Sequence, residues 1–139
     1  LIEIEKTVVE GAGAAGLAAM IAHPARFKGR KVGLVLAGGN IDTRLLASVL
    51  TRELAREGRL SELEVDLSDR PGQLAKLTAV IGEAGANIIE VVHQRVFTDM
   101  PAKSAIAYLV IETRDRGHLD ETVARIRSAG FEVEIPARR

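Results

Sequence analysis

Leu67-Ser68-Asp69-Arg70-Pro71-Gly72-Gln73-Leu74 is where the hydrophobic period of this chain changes. Before it, Leu63, Val65 and Leu67 alternate with Glu62, Glu64 and Asp66, the two-residue period of a half-buried strand. After it, Leu74, Leu77, Val80, Ile81 and Ala84 recur at helical spacing until Gly85 stops them. The stretch is therefore a strand-to-helix turn, with Pro71 and Gly72 at the helix start. A helix start offers backbone N–H groups without intrahelical acceptors and the positive end of the peptide dipole, a site for an anion such as a carboxylate. Asp69 has two readings: a cap for the helix, or a partner for a ligand's ammonium group.

Toward the C-terminus the same logic gives four more elements. Asn87 to Val96 is a second strand, and Thr98 to Lys103, with Pro101, is a turn or loop. Ser104 to Glu112 is a third strand, apolar on both faces: Ala105, Ala107, Leu109 and Ile111 on one, Ile106, Tyr108 and Val110 on the other. Leu119, Val123 and Ile126 mark a second helix ended by Gly130, with His118 near its start and expected in solvent. Phe131, Val133 and Ile135 alternate with Glu132 and Glu134 as a last strand. The order β-α-β-β-α-β is a ferredoxin-like layout, two helices on one face of a four-stranded sheet. A central strand that is apolar on both faces predicts cover for the open face, by a second copy or a neighbouring domain. Gly85-Ala86-Asn87-Ile88 begins the second strand, close enough on this reading for Asn87 to join Asp69 around one ligand.

Toward the N-terminus the pattern is that of an α/β piece. Ile2, Ile4, Thr7, Val8 and Val9 form a strand-like run; Gly11-Ala12-Gly13-Ala14-Ala15-Gly16 follows, then an alanine-rich helix closed by His23-Pro24. Arg26 to Lys31 is a basic loop, and Val32, Leu34, Val35 and Leu36 read as a buried strand. After the turn Ala37-Gly38-Gly39-Asn40, Ile41 to Glu57 reads as a helix with Gly58 at its C-terminus. Gly11 to Gly16 matches the dinucleotide spacing G-x-G-x-x-G, but the acid expected about 20 residues on is replaced by Leu36 and Ala37, and Asp42 comes late. Close helix–strand packing is the better reading of these glycines. The fold class is thus α/β (α+β), a partial α/β unit over 1–59 and a ferredoxin-like unit over 60–139.

Composition narrows the function. Through Arg59 the chain has 9 basic and 6 acidic residues, and thereafter 10 and 13, so a basic first part and an acidic second part cancel. Neutral net charge and 3% aromatic content disfavour a nucleic-acid partner. The absence of Cys removes disulfides and thiolate metal sites, and His23, His93 and His118 are too scattered to predict a metal. No apolar run reaches 18 residues, and Glu3 and Glu5 interrupt any leader-like start, so a soluble cytoplasmic protein without membrane contact is expected. A chain that opens on Leu1 within a strand-like pattern is expected to be a piece of something longer.

Two resemblances follow from these residues. Residues 60–136 resemble an ACT domain, the amino-acid-binding regulatory module, through Asp69-Arg70-Pro71-Gly72-Gln73-Leu74, Gly85-Ala86-Asn87-Ile88, and His93 with Arg95. Residues 7–59 resemble the end of the catalytic domain of pyridoxal-phosphate-dependent threonine dehydratases (threonine ammonia-lyases), through Val9-Glu10-Gly11-Ala12-Gly13-Ala14, Gly16-Leu17-Ala18-Ala19 and Gly38-Gly39-Asn40. The resemblance implies an effector site at Asp69 to Leu74 and Gly85 to Ile88, binding a branched-chain amino acid, isoleucine or valine, near a subunit interface of a homo-oligomer. It implies cofactor-proximal positions in the parent enzyme at Glu10, Ala37, Gly38, Gly39 and Asn40, where Ala37 replaces a serine whose hydroxyl meets the pyridine nitrogen. Either the ring nitrogen is handled differently here, or the site is degenerate. The family's cofactor lysine and phosphate loop lie upstream of these residues, so the segment by itself is expected to hold no cofactor, to have no catalytic residue and to be inactive. The other reading is a ligand-free ACT dimerisation module.

Overall fold

A computed structural model describes residues 1–94 and 104–136. By packing, the chain divides into two compact units, Leu1–Val49 and Leu50–Arg139.

The second unit contains the four-stranded sheet. β1 (Leu60–Ser68), β2 (Asn87–Gln94), β3 (Ser104–Glu112) and β4 (Glu132–Glu134) lie in the order β2-β3-β1-β4. All three pairings are antiparallel. Two helices in this unit connect strands: α5 (Gln73–Glu83) packs on β1 and β2, and α6 (Arg116–Ser128) packs on β4 and α5. This is the β-α-β-β-α-β arrangement that the change of period at 67–74 predicts.

Alternation decides the two faces of the sheet. Leu63, Val65 and Leu67 meet Leu109, Ala107 and Ala105 across the central pair, and all six are buried. Leu77 and Ile81 from α5 and Leu119, Val123 and Ile126 from α6 close this layer, with Phe131 and Val133 at its margin. On the open face, Glu62, Glu64 and Asp66 stand opposite Val110, Tyr108 and Ile106. Tyr108 there is 38% exposed, and Ile89, Val91 and Val92 of the edge strand β2 are exposed as well. A register shift between Ile88 and Glu90 marks a bulge in that edge.

In the first unit the expected strands do not form. Ile2–Glu5 is a short helix, α1, and residues 32–36 have no regular structure, with Val35 88% exposed. The physical reason is that a strand is stable only when its N–H and C=O groups are paired, and no strand forms among the described residues of this unit to pair with them. Helices satisfy their own backbone groups and survive: α2 (Gly11–Ala22), α3 (Pro24–Phe27) and α4 (Thr43–Arg56), the last running from the first unit into the second. The glycine run 11–16 is itself helical rather than a loop before the helix.

Three helices end on a left-handed glycine: α4 at Gly58 (φ 73°), α5 at Gly85 (φ 83°) and α6 at Gly130 (φ 91°). At each, the next residue's N–H reaches back across the last turn, Arg59 to Leu54, Ala86 to Ile81 and Phe131 to Ile126. These are Schellman endings, in which a residue without a Cβ adopts the left-handed conformation at little cost.

Candidate functional site

The turn after β1 has the form read from sequence. Arg70 N–H donates to Ser68 C=O at 2.7 Å, and Gly72, with φ 86°, is the N-cap of α5. Glycine has no side chain with which to cap, and no side-chain cap bond is made from this position. Gln73 N–H donates to Arg70 C=O at 3.4 Å, and the first turn of α5 follows directly on Asp69 and Arg70, both exposed.

The other half of the expected effector set lies elsewhere. Asn87 is registered with Glu112, and Glu112 with Leu60, at the start of β1; Ser68, at its end, is registered with Ser104. Eight residue steps, from Leu60 to Ser68, separate the two levels, about 26 Å at roughly 3.3 Å per residue. The structure thus brings Asp69, Arg70, Pro71, Gly72, Gln73 and Leu74 together at one end of the sheet. It places Gly85, Ala86, Asn87 and Ile88 at the other, so one small ligand cannot touch both in a single chain. A strand start and a preceding helix start lie at opposite ends because the helix must run the length of the sheet between them. His93, on β2, is registered with Ala107 of β3, and Arg95 lies outside the described residues.

At the Asn87 end is a cleft of about 500 Å³ lined by Arg59, Gly85, Asn87, Glu112, Thr113 and Arg114. Its base is well fixed. Thr113 N–H donates to Arg59 C=O at 2.9 Å, and the Thr113 hydroxyl donates to Gly58 C=O. Asn87 Nδ2 donates to Glu112 Oε2 at 3.4 Å, and Arg59 Nη1 meets Glu57 Oε2 at 3.3 Å.

His118 holds this end together and corrects the expectation that it is solvated. It is 3% exposed. Its Nδ1 accepts the Arg114 N–H at 3.1 Å, so the proton sits on Nε2, which donates to Ala84 C=O at 2.9 Å. One ring thereby ties the end of α5 to the segment entering α6. Sequence position alone suggests a helix-start surface residue. The available signal was Asp115, whose carboxylate caps α6 by accepting His118 N–H at 2.8 Å and moves the helix start upstream of the histidine.

A second cleft, of about 730 Å³, collects Arg52, Arg56 and Arg116 between the end of α4 and the start of α6. Two of these arginines have structural partners: Arg56 pairs with Glu53, and Arg116 Nη2 donates to Arg56 C=O at 3.2 Å. The Arg56 hydrogen bond holds the Glu53 carboxyl below the usual range, and its charge adds to the effect.

In the first unit, Glu10 N–H donates to Gly38 C=O at 2.9 Å. A Cβ on Gly38 would overlap the Glu10 carboxylate, and one on Gly13 would overlap the Ala37 carbonyl. Glu10, Ala37 and Gly38 thus lie close together in this unit. No such packing marks Gly39, where a Cβ would meet open space. Among the described residues no group of three or more His, Asp or Glu side chains is placed to hold a metal ion, and no helix is long and apolar enough to cross a membrane.

The sheet order and the helix pair on one face define a ferredoxin-like α+β fold, and residues 61–131 match the ACT domain family. The chain belongs to the ACT domain family. It is similar to the L-threonine ammonia-lyase of Thermotoga maritima, 38% identical over 97% of this chain and 33% of the relative. It is similar also to that of Geobacter sulfurreducens, 37% identical over 97% and 34%. The chain spans about a third of the length of these relatives, corresponding to a C-terminal part of them. Among solved structures, the ACT domain of a GTP pyrophosphokinase from Chlorobium tepidum aligns with a TM-score of 0.43 at 18% identity, over 54% of this chain and 96% of that one.

Proposed function

We propose that this chain is the regulatory C-terminal portion of a threonine dehydratase, its ACT unit (60–139) following a catalytic-domain remnant (1–59). In this reading it binds isoleucine or valine to control conversion of threonine to 2-oxobutanoate and ammonia in the cytoplasm. The observation that carries the reading is the start of α5 at Gly72, which makes no side-chain cap bond, next to Asp69, in a chain similar to threonine ammonia-lyases along nearly its whole length. The effector carboxylate meets the first N–H groups of α5, and its ammonium meets Asp69 or Asn87.

Joint use of Asp69 and Asn87 requires two copies. β2 is an edge strand and α5 packs beside it. Two copies related by a twofold axis perpendicular to that edge strand run antiparallel, so the 69–72 turn of one lies beside the 85–88 segment of the other. The effector then shifts the enzyme by its differential affinity for two arrangements of such a pair. Titration calorimetry of the 139-residue protein with isoleucine, valine, threonine and serine tests this. Heat for isoleucine or valine that is lost in Asp69→Ala is expected, and no heat for any of the four at millimolar ligand refutes it.

The parent enzymes of this reading use pyridoxal phosphate, which supplies the electron sink for the elimination. The residues present do not fit that cofactor by themselves. Glu10 is packed against Gly38, and Ala37 has no hydroxyl to offer a ring nitrogen. No step is assigned to this chain. A second reading, a dimerisation module without ligand, is favoured by the exposed Ile89, Val91 and Val92 on the β2 edge. Concentration-dependent sedimentation together with silence in the calorimeter would select it.

A further inference from the structure

We infer that the open face of the sheet docks a basic amphipathic helix of a partner protein, whose Lys or Arg side chains meet the carboxylates of β1 and whose aliphatic side chains cover β3. This surface is separate from the proposed effector site, which uses the ends of the sheet, and it stands or falls independently of that site.

The strand register arranges this face in rows. Glu90 and Glu62 flank Val110 in the first. Val92, Tyr108, Glu64 and Glu134 cross the sheet in the second, and Ile106, Asp66 and Glu132 in the third. The face is therefore apolar over β2 and β3 and acidic over β1 and β4, with Glu90 as an added acid at the β2 edge. Each of these carboxylates is exposed except that of Glu64, which is half-buried, and no ion pair among the described residues joins any of them. Like charges stand directly opposite one another, Glu64 against Glu134 and Asp66 against Glu132, an arrangement that destabilises the sheet on its own. No Lys or Arg occurs in any of the four strands to relieve them. Beside the acids, Tyr108 and Val92 are 38% and 39% exposed, and a groove of about 150 Å³ is lined by Val92, Tyr108, Val110, Glu62 and Glu90.

Charge decides what fits such a face. A second copy laid face to face brings the same carboxylates again and no strand cation, so the face is not self-complementary. A basic surface is complementary, and the spacing suits a helix. Glu62, Glu64 and Asp66 recur about every 6.6 Å along β1 at roughly 3.3 Å per residue. Residues i, i+4 and i+8 of a helix recur about every 6.0 Å, and a long, flexible lysine or arginine side chain absorbs the difference. The adjacent helix stripe, i+3, i+7 and i+11, lies roughly 5–6 Å to one side, close to the ~4.8 Å step from β1 to β3. Bases on the first stripe then meet Glu62, Glu64 and Asp66, while aliphatic residues on the second meet Val110, Tyr108 and Ile106. The opposed acids make a further point. The charge that costs the free sheet stability is the charge that selects the partner, so removing it has opposite effects on folding and on docking.

The probe is a fluorescein-labelled helical peptide with Lys at i, i+4 and i+8 and Leu at i+3, i+7 and i+11 on an alanine–glutamine background. It is titrated with the full 139-residue chain and read by fluorescence anisotropy and by ¹H–¹⁵N NMR. Two comparison peptides replace the lysines by Glu or the leucines by Gln. The expected result is binding that added salt weakens, with amide shifts over 62–66 and 106–110 and none over α5 and α6. Affinity is expected to fall roughly tenfold in the double variant Glu64→Gln, Asp66→Asn, through loss of two exposed charge contacts. The same variant, without peptide, is expected to unfold at a higher temperature than the parent chain. Equal binding of the Glu peptide overturns the charge complementarity, and equal binding of the Gln peptide overturns the amphipathic reading. Unchanged affinity in the double variant overturns the role of β1, and no binding of the Lys–Leu peptide at high protein concentration overturns the surface altogether. Concentration-dependent NMR line broadening over 62–66 and 106–110 without peptide identifies a second copy as the occupant and overturns the inference too, whereas broadening confined to β2 leaves it standing.

Discussion

Replacing His118 by alanine tests whether the ring is the joint between the two helices of the ACT unit. The substitution removes both ring nitrogens from a site that is 3% exposed. Arg114 N–H and Ala84 C=O would each lose their partner. A buried polar group left unsatisfied costs roughly 1–3 kcal/mol, and the missing ring adds a cavity term of about 1 kcal/mol where neighbours cannot collapse. Water reaching Arg114, at the exposed edge of the cleft, offsets part of this. The expected loss is therefore about 3–5 kcal/mol, a large share of the ~5–15 kcal/mol that stabilises a typical domain. Urea unfolding of the 139-residue chain followed by far-ultraviolet circular dichroism reads it as a lower midpoint for the sheet-containing unit. Two partial replacements separate hydrogen bonding from volume. In His118→Asn the shorter amide packs poorly, but its Oδ1 can stand where the ring Nδ1 accepts. In His118→Gln the longer amide can place an N–H near Ala84. Each is expected to recover about 1 kcal/mol relative to alanine. A loss below about 1 kcal/mol in His118→Ala, or equal losses in all three variants, would refute the joint. NMR of the histidine ring nitrogens should also find the proton on Nε2.

Lys76 reaches across to α6, donating to Ala129 C=O at 2.8 Å with its Nζ 5.3 Å from the Phe131 ring centre. Lys76→Met keeps the stem and loses the charge, and thermal unfolding should register a destabilisation of about 0.5–1.5 kcal/mol. Gly38→Ala, at φ 82° and against Glu10, should speed exchange of the Glu10 amide hydrogen and leave amides in β1 and β3 protected; slowed or unchanged Glu10 exchange would count against the packing described. Glu53 has a carboxyl lowered by Arg56, so its contribution is present above the ordinary carboxylate range and is lost as pH falls through the folded value. Glu53→Gln should therefore flatten the acid limb of the stability profile without moving the neutral plateau appreciably, since the pair lies at the surface.

The ACT unit is legible in the amino-acid pattern because its signals are local. Strand alternation at 62–67, helical spacing at 74–84 and glycine stops at 58, 85 and 130 each depend on neighbours a few residues away. The first unit was legible only in its helices. Its apolar runs at 2–9 and 32–36 carry strand composition, but a strand is completed by partners, and in the described structure none pairs with them. The geometry of the candidate sites depends on long-range packing. Asp69 and Asn87 look adjacent through a short helix, yet the strand register puts them at opposite ends of the sheet, about 26 Å apart at roughly 3.3 Å per residue. His118 looks like a surface residue, yet the close packing of α5 against α6 buries it between two backbone groups. Glu112, Arg114 and Arg59 carry no motif, and they share a cleft because the ends of β1 and β3 meet there. Chain pattern fixes which face of an element is apolar; which polar residues end up facing one another depends on register, and register is a property of the whole sheet.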